Sequence, residues 1–157
     1  MRRITLIIAI LMGLCNVLAK TNQIPDYEIS GNGTGTQGTY LVNVSVLSKK
    51  KNISEAELAR CAVHGVLFRG FSNKDLRQSQ KPLAGGPAVE TSHPDFFNSF
   101  FAEEGPFKGY VSEVSGSRQV VKSGKQYKVT ATVTVNKEQL RQDLEKAGII
   151  KGLNSIF

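Results

Sequence analysis

Cys61 and His64 lie three residues apart within Ser54–Gly65, a stretch whose apolar residues recur at helical spacing, so both fall on one helix face. A thiol beside an imidazole is the pairing of a nucleophile with its base, and the neighbouring Arg60 would favour the thiolate. That chemistry would make the chain a small thiol-dependent enzyme. Two features oppose it. Cys61 sits toward the helix C-terminus, where the dipole disfavours a thiolate. It also adjoins the apolar pair Ala62 and Val63, where a free cysteine serves as a small buried hydrophobe. Cys61, His64 and His93, with Glu90 or Asp95, have the right types for a metal site, but no second pair of ligands stands at metal-binding spacing. Glu103-Glu104 is an ordinary exposed helix end, and no nucleophile elbow or phosphate loop occurs. The expectation is a chain with no catalytic residue, no cofactor and no metal.

Two other groups could bind rather than react. Arg118, Lys122, Lys125 and Lys128 fall on or beside one expected hairpin, with Lys122 and Lys125 at its turn. A basic tip of that kind suits an acidic partner: an envelope protein, or an anionic glycan or lipid surface. Phe96, Phe97, Phe100 and Phe101 form an aromatic helix face that reads as core. Exposed, Phe97 and Phe101 would instead contact a partner. Gly33-x-Gly35-x-x-Gly38 matches the letters of a dinucleotide fingerprint, but it runs into a strand instead of opening a helix. It is read as a flexible linker or a bulged strand entry.

The elements that would position these residues follow from periodicity. Tyr127, Val129, Ala131, Val133 and Val135 alternate with Lys128 and three threonines, the pattern of a strand with one buried face. Asn136 is expected to cap the next helix, with Gln139 reaching back, and Gly148 to end it. Thr39–Leu47 alternates in the same way. Ser54-Glu55-Ala56-Glu57 is a capping box, and Gly65 is expected to stop the helix it starts. Val66–Phe71 is open between more helix and a short strand, and its aromatic and β-branched content after Gly65 favours the strand. Ser72–Thr91 reads as a long loop that could cover a small-ligand pocket. Ser92 reads as the cap of a phenylalanine-rich helix. Tyr110–Val114, Arg118–Lys122 and the strand from Gln126 read as a three-stranded meander, closed by a turn at Ser123-Gly124 that sets Val120 opposite Tyr127.

The fold class is therefore α+β: a mostly antiparallel sheet of about four strands with two or three helices on one face. In element order this resembles small α+β domains of bacterial envelope proteins.

Met1-Arg2-Arg3, the apolar run Ile4–Leu14 and Val17-Leu18-Ala19 read as an export signal cleaved after Ala19. Cys15 offers the alternative of a lipoprotein, but the residue before it is Leu14 where that processing prefers a small one. The organisation is then 1–19 signal, 20–38 flexible arm and Gly-rich linker, and 39–157 a single domain. After cleavage Cys61 is the sole cysteine, so the fold rests on its apolar core without an internal disulfide. The mature stretch carries 18 basic and 13 acidic residues, with the excess confined to the last third. Export and the lack of an aromatic–basic surface pattern disfavour nucleic acid. The functional expectation is an exported non-catalytic binding or assembly module of the cell envelope. The alternatives are a thiol-dependent enzyme using Cys61 and His64, or a small-ligand carrier with its pocket under 72–91.

Overall fold

The computed structural model describes residues 24–73, 77–116 and 118–152. The segment read as an export signal, and Cys15 with its alternative processing, lie outside the described residues. The spine is β2 (Tyr40–Ser48) paired with β7 (Gln126–Val135), antiparallel and in unbroken register from Tyr40↔Val135 to Ser48↔Tyr127. Alternation sends Val42, Val44 and Val46 to the same face as Val129, Ala131, Val133 and Val135, all at most 2 % exposed. Burying each valine contributes about 1.5–3 kcal/mol. Helix α1 (Glu55–His64) covers this face, packing Leu58, Ala59, Ala62 and Val63 onto it. Ser54 caps α1, its hydroxyl accepting from the Glu57 amide at 3.1 Å. The other face carries a polar ladder. The Asn32 side-chain amide donates to Thr132 Oγ1 at 3.0 Å, Thr132 donates to Asn43 Oδ1 at 2.8 Å, and Ser45 meets Thr130 at 2.7 Å.

The chain is α+β with a mostly antiparallel sheet, as the periodicity implied; among the described residues that sheet has five strands where about four were expected, and a two-stranded sheet is added to it. Several elements depart from expectation. Within 20–38, where Thr21–Ser30 reads as an arm or a weak first strand, Tyr27–Gly31 forms β1 on the outer side of β2. The run is too short for its alternation to have stood out. The meander is not a fold-back of three strands. β5 (Val111–Val114) pairs with the C-terminal half of β7, and β6 (Gln119–Ser123) pairs with its N-terminal half. The two lie end to end along one edge of β7 and, among the described residues, do not pair with each other. The β6–β7 turn is Gly124-Lys125, with Gly124 at φ +60°, which places Val120 opposite Val129 rather than Tyr127.

Gly65 does not stop α1. The helix runs on through a π-helical turn, Gly65–Arg69, the helical of the two readings open for this segment and not the favoured strand, and it ends at Gly70, whose φ is +69°. A Cβ on Gly65 would come within 2.6 Å of Ile29 Cδ1 and 3.2 Å of the Tyr27 ring. The glycine is there to let α1 approach β1. The carbonyls of Val66 and Leu67 accept from Leu83 and Ala84, both at 2.9 Å, which satisfies the end of the helix. The expected long loop is structured: β3 (Phe71–Asn73) pairs with β4 (Gln78–Gln80), and α2 (Pro87–Ser92) follows. Ser92 belongs to α2, donating to the Ala88 carbonyl at 2.8 Å, and does not cap α3 (Pro94–Phe100). A turn of 3₁₀ helix, Pro106–Tyr110, leads into β5. Helix α4 (Lys137–Lys146) has no side-chain cap from Asn136; the Asn136 N–H that Gln139 was expected to meet donates instead to the Tyr110 carbonyl at 2.8 Å, and Gln139 turns forward to Asp143 at 2.8 Å. Its C-terminus is as expected. Gly148, at φ +70°, donates to the Glu145 carbonyl and Ile149 to that of Leu144, both at 3.0 Å.

The Gly65–Ile29 contact makes a prediction in which the sign decides. Helix propensity alone would make Gly65→Ala stabilising by up to about 1 kcal/mol. Overpacking should instead make it destabilising by about 1–3 kcal/mol, and the cost should shrink in an Ile29→Ala background. Urea denaturation of the four combinations reads both effects; a stabilised single variant would refute the close approach as the reason for the glycine.

Candidate functional site

His64, in the last turn of α1, holds a partner on each ring nitrogen. Its Nδ1 lies 2.6 Å from the Tyr27 hydroxyl of β1, and its Nε2 lies 3.2 Å from Glu90 Oε2 of α2. A neutral imidazole satisfies both when Tyr27 O–H donates to Nδ1 and Nε2–H donates to the carboxylate. Arg69 completes the cluster, its guanidinium 4.1 Å from the Tyr27 ring centroid and its Nη1 donating to the Tyr27 carbonyl at 2.8 Å. Burial lowers the His64 pKa below its usual value, against the raising effect of the Glu90 charge and hydrogen bond, and Arg69 lowers it further. Burial likewise raises the Tyr27 pKa, opposed by Arg69.

Hydroxyl, imidazole and carboxylate in series form a proton-transfer arrangement. Here, however, Tyr27 is only 5 % exposed, and burial holds its hydroxyl in the protonated form. The cluster is a clamp joining β1, α1 and α2. Sequence reasoning named His64 and Glu90 but not Tyr27 or Arg69. Tyr27 is 37 residues from His64, a separation no local spacing rule covers.

Cys61 is fully buried, and burial, reinforced by Glu57 and opposed by Arg60 and Arg69, pushes its thiol up to about 12. With both His64 nitrogens engaged elsewhere, the imidazole is not poised to take its proton. Among the described residues no three His, Cys, Asp or Glu side chains gather into a metal-binding group. His93 sits at the α2–α3 junction, without the shared geometry with Cys61 and His64 that a metal would need. Phe97 and Phe101 are buried, stacked on one another with centroids 6.3 Å apart, and Phe97 meets Phe68 edge-on at 5.0 Å. They are core and offer no surface patch: Phe97 packs on Phe68 of the π-turn, and Phe101 lies 5.6 Å from the His64 ring of α1. A small hollow of about 180 Å³ lies beside them, bounded by Glu90 and Pro94.

The basic hairpin divides in two. Arg118 folds back to the start of α1, donating to the Ile53 carbonyl and lying 3.5 Å from Glu55. Lys128 pairs with Glu28 across the polar face. Lys122 and Lys125 remain at the tip with no acidic partner among the described residues. All of β6 is exposed, including Val120 at 46 % and Val121 at 60 %, the large apolar side chains most open to solvent. Within the described residues, β6 pairs only with β7, which leaves its outer row of amides and carbonyls unpaired.

Compared with known proteins, the chain matches no family model, no curated protein and no solved structure.

The His64 clamp sets a pH dependence. Its folded pKa lies below the unfolded value of about 6.5, so the unfolded chain binds more protons as the solution is acidified. Stability should be full above pH 6.5 and fall as the pH drops below it. Glu90→Gln should deepen the fall by removing the charge that favours imidazolium, and His64→Gln should flatten it. Urea midpoints between pH 5 and 7.5 measure all three; a rise in stability on acidification would show that the Glu90 pairing outweighs burial.

Cys61 should resist a charged alkylating agent in the native protein at neutral pH and react quickly in denaturant. Rapid labelling of the native thiol near pH 6 would restore the enzyme alternative.

Proposed function

We propose that this chain is an exported, non-catalytic binding module of a cell envelope that takes an acidic partner along β6. The observation that supports this reading is a fully exposed edge strand ending in two lysines that have no counter-charge among the described residues. An open edge offers main-chain hydrogen bonds to any extended segment, and side chains on alternate sides decide which segment is accepted. Here Val120 and Val121 supply apolar contact on opposite faces, while Lys122 and Lys125 favour acidic residues beside them. Lysines on an edge also deter neutral strands from adding indiscriminately. The favoured partner is thus an acidic, extended segment of another envelope protein. Export enters from the sequence pattern at 1–19.

The test is retention of the mature chain on an anionic matrix across a salt series. Lys122→Glu with Lys125→Glu should lower the salt needed for release far more than Lys49→Glu with Lys50→Glu, though both pairs change net charge equally. Equal loss in the two double variants would mean that only overall charge acts, and that the hairpin is not the site.

A further inference from the structure

The loop Gly33–Gly38 is fastened on four sides and is no free linker. Asn32 N–H donates to the Leu41 carbonyl at 2.9 Å, and Thr39 N–H to that of Thr36 at 3.0 Å. The Asn73 side-chain amide holds the Gly33 carbonyl at 3.3 Å, and the first turn of α4 holds the Gly38 carbonyl through Glu138 N–H at 3.2 Å. So held, the loop forms one wall of a cleft of about 290 Å³. Tyr40 of β2, Phe71 of β3, Gln78 and Gln80 of β4, and Lys137 of α4 form the rest.

The chemistry of this lining is specific. Its cation, Lys137, lies over the Tyr40 ring at 4.5 Å with no acidic partner among the described residues, and the nearest carboxylate, Glu138, stands at the rim, where a Cβ on Gly38 would come within 3.0 Å of its Oε2. Lys137 is also the first residue of α4, at the positive end of the helix dipole, where a cation is disfavoured and an anion would be welcome. The Tyr40 hydroxyl donates to Gln80 Oε1 at 3.1 Å, which leaves the Gln80 amide hydrogens to donate outward. Gln78 adds a second carboxamide, and Thr34 and Thr36 add hydroxyls from the loop. Phe71 meets Tyr40 edge-on at 5.0 Å and is half-buried, giving the cleft an aromatic floor. A complementary ligand carries several hydroxyls, an apolar ring face and one negative charge.

We propose that this cleft binds an acidic monosaccharide unit of the uronic-acid type. Its carboxylate meets Lys137, its hydroxyls meet Gln78, Gln80 and the loop, and its C–H face lies on Phe71. The volume, at the small end of ligand sites that run from roughly 300 to 1,000 Å³, suits one sugar ring rather than a dinucleotide. The glycines also lead into β2 and not into a helix, which removes the geometry by which a glycine fingerprint holds a pyrophosphate. The proposal is independent of the β6 edge.

The test is a titration of the ¹⁵N-labelled mature chain with glucuronate, glucose and acetate. Glucuronate should shift the amides of Gly33, Gly35, Gly38 and Phe71 and bind about tenfold more tightly than glucose, while acetate should leave them unmoved. Lys137→Gln should bring glucuronate down to the level of glucose, and Lys151→Gln, which removes the same charge elsewhere, should change neither. Gln78→Ala, at an exposed position, should weaken both sugars. The spectrum away from the cleft reports that each variant is folded. An absence of shifts at the loop, equal shifts with acetate, or a Lys137→Gln variant that keeps its preference for the acid would each overturn the proposal.

Discussion

Every other element of this fold is attached to one constraint, the nine-residue antiparallel match between β2 and β7. Its register runs from Tyr40↔Val135 to Ser48↔Tyr127 without a bulge, so both strands turn their valines to the same side. A slip of one residue would send Val42, Val44 and Val46 to the polar face and Asn43 and Ser45 into the core. The slip is opposed twice over. Burial of the valines favours one side, and the hydrogen bonds from Thr132 to Asn43 and between Thr130 and Ser45 close only in the native register on the other. With that pair set, α1 has a flat apolar surface to cover, β1 has an edge to extend, and β5 and β6 share the remaining edge.

What could be read from the residues was whatever depends on local period. The alternation in 39–47 and 126–135, the Ser54 cap and the Gly148 terminus each follow from side chains within a few positions of one another. The parts that could not be read depend on contacts distant in sequence. Gly65 looks like a helix stop because glycine often is one, but its role is set by Ile29, 36 residues earlier. The division of one edge between β5 and β6 could not be seen either. Both segments alternate acceptably, and only the length of β7 shows that it can seat the two of them in succession. The turn shifted from Ser123-Gly124 to Gly124-Lys125 because positive φ is needed at the first turn residue, where Gly124 supplies it.

The candidate sites were legible in the same uneven way. Lys122 and Lys125 were identifiable because turn tips are local features, whereas Arg118 was not separable from them until its reach to Ile53 and Glu55 was seen. Cys61 and His64 do share a helix, as spacing required. Their chemistry is decided by what packs over them, and the cover comes from β1 and α2. Tyr27 and Glu90 convert a suggestive pair into a structural joint. Residue type and spacing can assemble half of a reactive pair, but exposure decides whether it reacts, and exposure is a property of the whole fold.

The two proposed binding surfaces stand at opposite ends of β7. β6 pairs with its first half, Gln126–Thr130, while the cleft lies where β7 has passed into α4 at Lys137. At about 3.3 Å per residue, the intervening strand separates them by roughly 20–30 Å. They also use different edges, because the cleft is built against β2 and the β3–β4 hairpin rather than against β5 and β6. Neither occupant would therefore obstruct the other. A rigid strand between two such surfaces holds whatever occupies them at a fixed separation, so a partner on one raises the local concentration of anything linked to the other without any change in the protein's shape. A scaffold of that kind needs a stiff spine and two independent ends, and the unbroken β2–β7 register supplies the stiffness.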